Sequence, residues 1–250
     1  CLLLHLFLCY FLVNGASSGI HSFFLGLGQN AKIMVSRNAH SSFFAGMVFS
    51  GANPVYIPCQ VNDDGLALAV TEEKITTLLE KHADVDAVAL VSPSYYGTTC
   101  HIADIAALLK NRKIPLMVDE AHGGHFYFHP EYPRTALSGG ADVVINGLHK
   151  PLPVLTQGAC LHIGESCPSP DRFVRACSLL TTTSPSYLIM ASIDLARDWM
   201  ECHGQEALER ALGLSRYYRN KINSIRGIRC LSQELMVTGV EAIDPLKILI

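Results

Sequence analysis

The chain is predicted to fold as an α/β domain: a mostly parallel, seven-stranded sheet flanked by helices in a three-layer α/β/α arrangement. Two patterns predict it. Short runs rich in Val, Ile, Leu and Met barely alternate with polar residues, as strands buried on both faces do. Helix-like stretches lie between those runs, so strand and helix follow one another repeatedly, the order of a doubly wound parallel sheet.

The elements follow in turn. Tyr10–Asn14 reads as the first strand and Ser17–Gly26 as the helix after it. Lys32–Ser36 and Ser41–Ser50 form the second such pair, and Pro54–Gln60 the third strand. Thr71–His82 is helical, with Thr71 as its cap and Glu72 and Glu73 complementing the helix dipole in the first turn. Ala87–Ser92 is a strand, Ala103–Arg112 an amphipathic helix ending in basic residues, and Leu116–Asp119, Val143–Asn146 and Ala159–Ile163 are strands. Asp171–Leu180, Tyr187–Cys202 and Glu206–Ile225 read as helices, with a weak strand at Ile228–Ser232 and a strand beginning in Asp244–Ile250. The expected division is a large domain over residues 1–203 and, over 204–250, a helical connection opening a further, incomplete domain.

The 250 residues suffice for one large core, and 49% hydrophobic with 16% charged residues excludes a disordered chain. A net charge of −3 without any Lys/Arg run argues against a nucleic-acid partner held by bulk electrostatics. Nine cysteines, odd in number, irregular in spacing and without a CxxC, read as buried free thiols in a reducing compartment, the cytoplasm. Cys1–Val13 is apolar but too short to span a membrane, and it lacks the basic start of a signal peptide; it reads as a buried helix end running into a strand. The chain has no initiator Met, so it is expected to be a piece of a longer protein. Trp199 falls on an apolar helix face and reads as core.

Three segments carry chemistry. In Leu116–His125 (LMVDEAHGGH) a buried strand ends in Asp119, at the edge where open α/β sheets bind ligands. A carboxylate there needs a cationic partner, which a protonated pyridine nitrogen supplies. In Val143–Lys150 (VVINGLHK) the next strand ends in His-Lys, and a lysine beside a sheet edge near other cations can act as a Schiff-base amine. A pyridoxal phosphate (PLP) site requires that pair, a lysine for the aldehyde and an acid for the ring nitrogen. In Asn14–Gly19 (NGASSG) a Gly turn opens a helix, which fits either a phosphate cradle or an ordinary N-cap.

The ordered set FLVNGASSG, SRNAHSS, SPSYYG, VDEAHGGHF, LHKPLPVLTQ and TTTSPSYLIMASID resembles the bacterial-type ornithine/lysine/arginine decarboxylases, PLP enzymes of fold type I, over about residues 11–250. The resemblance implies a PLP-transferase-like large domain that decarboxylates a basic amino acid to a polyamine precursor, through Schiff-base exchange at Lys150. It implies that Asp119 pairs with the ring nitrogen, His40 stacks on one face and Ala121 packs on the other, with His122 nearby. Ser17 and the backbone of Ala16 hold the phosphate, and His149 lies close to phosphate and substrate. His149, or the released Lys150, returns the proton to Cα. The resemblance also implies that Ser184 reaches the phosphate of a partner subunit in a homodimer or higher homo-oligomer.

The chain departs from that pattern. Ala16 and Gly147 stand where the family usually carries hydroxyls, each a lost hydrogen bond to a charged group of about 1.5–3 kcal/mol. Ser41 stands where it often has Lys, and the family's N-terminal segment and C-terminal small domain, which contribute to the substrate pocket, are not represented. Two further readings therefore stay open: a truncated or degenerate homologue that only dimerises or binds a partner, and a PLP enzyme of aminotransferase or aldolase type. A metal site from His122, His125 and His129 beside Asp119 and Glu120 is disfavoured, because no HExxH occurs. The Asp-Glu-Ala-His run is not a helicase box, since no GxxxxGK[ST] accompanies it.

Overall fold

A computed structural model describes residues 6–250. Strand β1 (Leu6–Leu12) leads into helix α1 (Gly15–Leu27), then β2 (Lys32–Ser36), α2 (Ser41–Ser50) and β3 (Asn53–Ile57). A small β4/β5 ribbon (Gln60–Val61 and Ala67–Ala69) precedes α3 (Glu72–Lys81) and β6 (Ala87–Val91). Then come β7 (Thr98–Cys100), α4 (Ile102–Lys110), β8 (Leu116–Asp119), β9 (Val143–Asn146) and β10 (Ala159–Gly164). Helices α5 (Pro170–Leu180) and α6 (Tyr187–Asn223) follow, and β11 (Val240–Ile243) pairs antiparallel with β7.

The seven-stranded sheet runs β1-β10-β9-β8-β6-β2-β3. Strands β9, β8, β6, β2 and β3 pair in parallel, and only β10 runs against its neighbours. Adjacent residues face opposite sides of the sheet. Ile33, Val35, Ala87, Ala89, Met117, Val143 and Ile145 pack with Phe23, Phe24, Phe43 and Phe173 from α1, α2 and α5. Met34, Val88, Leu90, Leu116, Val118 and Val144 pack with Ile75, Leu79, Ile105 and Leu109 from α3 and α4. Both faces are thus buried, which is why these strands do not alternate in sequence. On the second face α6 covers the far end through Ile193, Ala196, Met200, Leu208 and Leu212, which meet Cys160 and Phe126. This is the expected three-layer α/β fold.

Several expectations are corrected. Strand β1 spans Leu6–Leu12 instead of Tyr10–Asn14, because Val13 and Asn14 already turn into α1; the helix end read at the start of Cys1–Val13 falls on residues 1–5, outside the described residues. Strand β3 is an exposed edge strand and ends at Ile57, before Pro58, with β4 separate. The two helices expected after Ser186 are one 37-residue helix, since Gly204 inside it packs closely against Met200 and Phe128 and does not break it; residues 203 and 204 lie within it. Ile228–Ser232 and Asp244–Ile250 are not strands, and β11 precedes the latter. Cys9 and Cys202 are exposed, unlike the buried thiols expected, and Trp199 is 43% exposed, stacked on His203. Among the described residues no helix is long and apolar enough to cross a membrane.

Phe173 joins α5 to α1, its ring stacked on Phe23 at 5.0 Å with no solvent exposure. Phe173→Ala is expected to cost about 3–5 kcal/mol, read as a lower urea midpoint with an unchanged denaturant slope.

Candidate active site

The parallel strands bring their carboxyl ends to one edge. There stand the Asn14–Ser17 turn after β1, the Arg37–His40 loop after β2, Ser94–Gly97 after β6, Asp119–His122 after β8 and Gly147–Lys150 after β9. Asp119 is the last residue of β8 and is 5% exposed. Its Oδ1 accepts the Ala121 N–H at 3.0 Å. Burial pushes its carboxyl up from the usual value, against that hydrogen bond and the charges of Lys150 and His40.

Lys150 closes the turn after β9, with its N–H donated to the Gly147 carbonyl. Its Nζ lies 3.1 Å from His122 Nε2, and Lys247 Nζ lies 3.3 Å from His122 Nδ1. A neutral imidazole has one lone pair and one N–H. It can accept from only one of the two lysines. Burial, then Lys150 and Lys247, push His122 down to about 4. Burial also lowers Lys150, with Lys247 adding to it and Asp119 opposing it. The lysine of the HK motif is therefore held toward its nucleophilic, neutral form.

Lys247 was not recognised in the sequence. It arrives through a latch: buried His125 Nε2 lies 3.2 Å from Asp244 Oδ1, which also accepts the Leu246 N–H at 3.0 Å, and the Asp244 N–H donates to the Gly97 carbonyl at 2.8 Å. Gly97, at φ +90°, has no Cβ to block the approach; one there would lie 2.6 Å from Lys247 Cγ. The latched Lys247 lies 5.8 Å from the Tyr95 ring, which itself meets His122 edge-on at 6.0 Å.

Glu120, read only as a conceivable metal ligand, braces the floor of the site. Its carboxylate accepts from Ala136 N–H (2.6 Å), Asn146 Nδ2 (3.0 Å) and Tyr127 Oη (3.1 Å), so it ties β8 to β9; burial still pushes it up to about 7. His129 Nε2 meets Glu209 at 3.0 Å on α6. His122, His125 and His129 thus have three different partners and do not converge as a ligand set.

The remaining predicted residues fall as follows. His40 caps α2, its Nδ1 accepting the Ser42 N–H at 3.2 Å, which fixes its ring. Ala121 is buried beside Asp119. Ala16 and Ser17 form the first turn of α1, after Gly15 at φ +78°, whose N–H donates to the Gln157 carbonyl in the loop beyond Lys150. His149 Nδ1 donates to the Gly158 carbonyl at 3.1 Å, which leaves Nε2 unprotonated in the neutral ring. Ser184 lies in the exposed α5–α6 connection, and its N–H donates to Thr182 Oγ1. Gly147 sits tightly: a Cβ there would lie 3.0 Å from the Ala121 carbonyl.

The comparisons with known proteins bear on this arrangement. The family model for the major domain of Orn/Lys/Arg decarboxylases matches residues 8–245. The chain belongs to this family. The arginine decarboxylase of Bacillus subtilis (strain 168) is 35% identical over 244 residues, covering 96% of this chain and 50% of that protein. Lysine decarboxylase A from Pseudomonas aeruginosa has the same fold with a TM-score of 0.78 at 23% identity, over 88% of this chain and 33% of that one. For the E. coli constitutive lysine decarboxylase the values are 0.79, 20%, 97% and 40%. The chain spans about half the length of the curated arginine decarboxylases it matches.

The family implies PLP, and the residues present fit it. Asp119 is a buried carboxylate with a backbone hydrogen bond and no side-chain ion pair among the described residues, which matches a cationic ring nitrogen. The first turn of α1 has no side-chain cap and no acidic residue, which matches a phosphate at a helix N-terminus.

Lys247→Met removes one of the two cations beside His122. The ring's titration, followed by NMR, is expected to move up from about 4 toward the ordinary histidine range.

Proposed function

We propose that this chain is the cofactor-binding core of a PLP-dependent enzyme that removes the α-carboxylate of a basic amino acid: lysine, arginine or ornithine. The observation that carries the reading is that buried Asp119 and Lys150 stand at the carboxyl ends of the adjacent strands β8 and β9, with Lys150 Nζ 3.1 Å from His122. Bound PLP supplies an aldehyde for an amino group and a protonated ring that accepts the electron pair left when carbon dioxide departs.

Each residue then has a task. Asp119 would keep the proton on the ring nitrogen, and that ion pair would relieve the cost of its burial. Lys150 offers an amine that burial makes easier to deprotonate than a free lysine, and His122, too weak a base to charge at pH 7, adds no positive charge beside it. His40, fixed by Ser42, and Ala121 would hold the two faces of the ring. The N–H groups of Ala16 and Ser17, in the first turn of α1, and the Ser17 hydroxyl would hold the phosphate. His149 Nε2 is free to hold the proton delivered to Cα.

The reading includes a homodimer in which Ser184 of one copy reaches the phosphate of the other. Leu179, Tyr187, Leu188 and Leu195, all at least 70% exposed around that loop, are apolar surface a second copy would cover. It also retains residues 1–203 as the large domain and 204–250 as a helical connection and the start of a second domain.

The test supplies PLP and each basic amino acid to the purified chain and measures carbon dioxide and the diamine or agmatine. Decarboxylation is expected, lost in Lys150→Ala, with borohydride fixing the cofactor to Lys150 in peptide maps. Amino transfer or carbon–carbon cleavage instead would point to aminotransferase or aldolase chemistry, and failure to bind PLP to a binding-only homologue. Because Ala16 lacks the family's hydroxyl, Ala16→Thr is expected to tighten PLP about tenfold, the equivalent of about 1.4 kcal/mol, in a fluorescence titration.

A further inference from the structure

Away from the Lys150–Asp119 cluster, at the outer edge of the sheet, three potential ligands converge. Cys9 on β1 pairs directly with His162 on β10, and Cys160, two residues earlier on β10, pairs with Phe11. The period of two puts Cys9, Cys160 and His162 on the same face of the sheet. The two thiol sulfurs and a ring nitrogen of His162 all lie within 4.8 Å of one another. His162 Nδ1 is buried and has no hydrogen-bond partner. Cys160 is buried while Cys9 is exposed, so the cluster opens to solvent on the Cys9 side.

We propose that Cys9, Cys160 and His162 form a binding site for a thiophilic divalent cation, zinc, with a fourth position open to water. The set has the composition zinc prefers, two sulfurs and an imidazole. Bond lengths of about 2.3 Å to sulfur and 2.0–2.1 Å to nitrogen at tetrahedral angles place ligand atoms roughly 3.5–3.8 Å apart. Atoms already within 4.8 Å reach that spacing by side-chain rotation. Two thiolates and a neutral imidazole balance the charge of the ion. The Tyr127 ring lies 6.2 Å from His162, and its hydroxyl donates to Glu120, so the site abuts the brace under Asp119 without sharing a residue with the proposed PLP site.

The test needs neither PLP nor turnover. The purified chain is reduced, stripped of metal with a chelator, and titrated with Co2+ without oxygen, then with Zn2+. The expected result is one Co2+ per chain, with the thiolate charge-transfer and visible bands of tetrahedral cobalt, displaced by Zn2+. Cys9→Ser and His162→Gln, both at positions less buried than Cys160, are each expected to weaken binding at least tenfold with an unchanged circular dichroism spectrum. The proposal is overturned if no charge-transfer band appears, if the band survives both substitutions, or if peptide mapping finds a Cys9–Cys160 disulfide and the reduced protein binds no metal.

Discussion

Parallel strands cannot be joined by tight hairpins. Each connection between them must cross a face of the sheet, and the crossovers bring every strand end of one sense to the same edge. The functional geography of this protein follows from that constraint. Asp119, Lys150, His40 and the Asn14–Ser17 turn are far apart in the chain, yet all lie just beyond a carboxyl end of the sheet. The same constraint places the first turn of α1, rather than its last, beside the acid and the lysine.

The sheet edge alone does not set the electrostatics. Two polar contacts behind it do much of that. Glu120 holds the ends of β8 and β9 together through Asn146 and Ala136, which fixes the separation of the Asp119 and Lys150 turns. The His125–Asp244 pair docks a segment more than 100 residues later and delivers Lys247 to the far side of His122. Two lysines around one neutral imidazole disfavour a further positive charge, and this acts on Lys150 in the same direction as its burial. A buried pair such as His125–Asp244 adds little net stability, because desolvation offsets most of the attraction; its consequence is positional.

Much of this was legible in the linear sequence. Strands Lys32–Ser36, Leu116–Asp119 and Val143–Asn146 have the bounds read from their apolar runs, because burial on both faces leaves an uninterrupted signal. The Thr71 cap was legible because capping is local, its hydroxyl accepting the Lys74 N–H three residues on. The family was legible because several short motifs occur in the right order. Edge strands were read less well: β1 and β3 each have a partner on one side only, and their apolar runs do not mark where pairing stops. The 37-residue α6 was read as two helices, although Gly204 between them lies inside one continuous helix, close to Met200 and Phe128.

By itself, then, the sequence determined the α/β class, the order of strands and helices, the family, and the acid and lysine that end two successive apolar runs. Those features are written in local pattern: hydrophobic period, capping and motif order. Only the tertiary structure decided that Lys247 meets His122, that Glu120 is a brace, and that Cys9, Cys160 and His162 converge. Each of these joins residues from distant parts of the chain or on adjacent strands, and no periodicity in one segment encodes what another segment brings beside it.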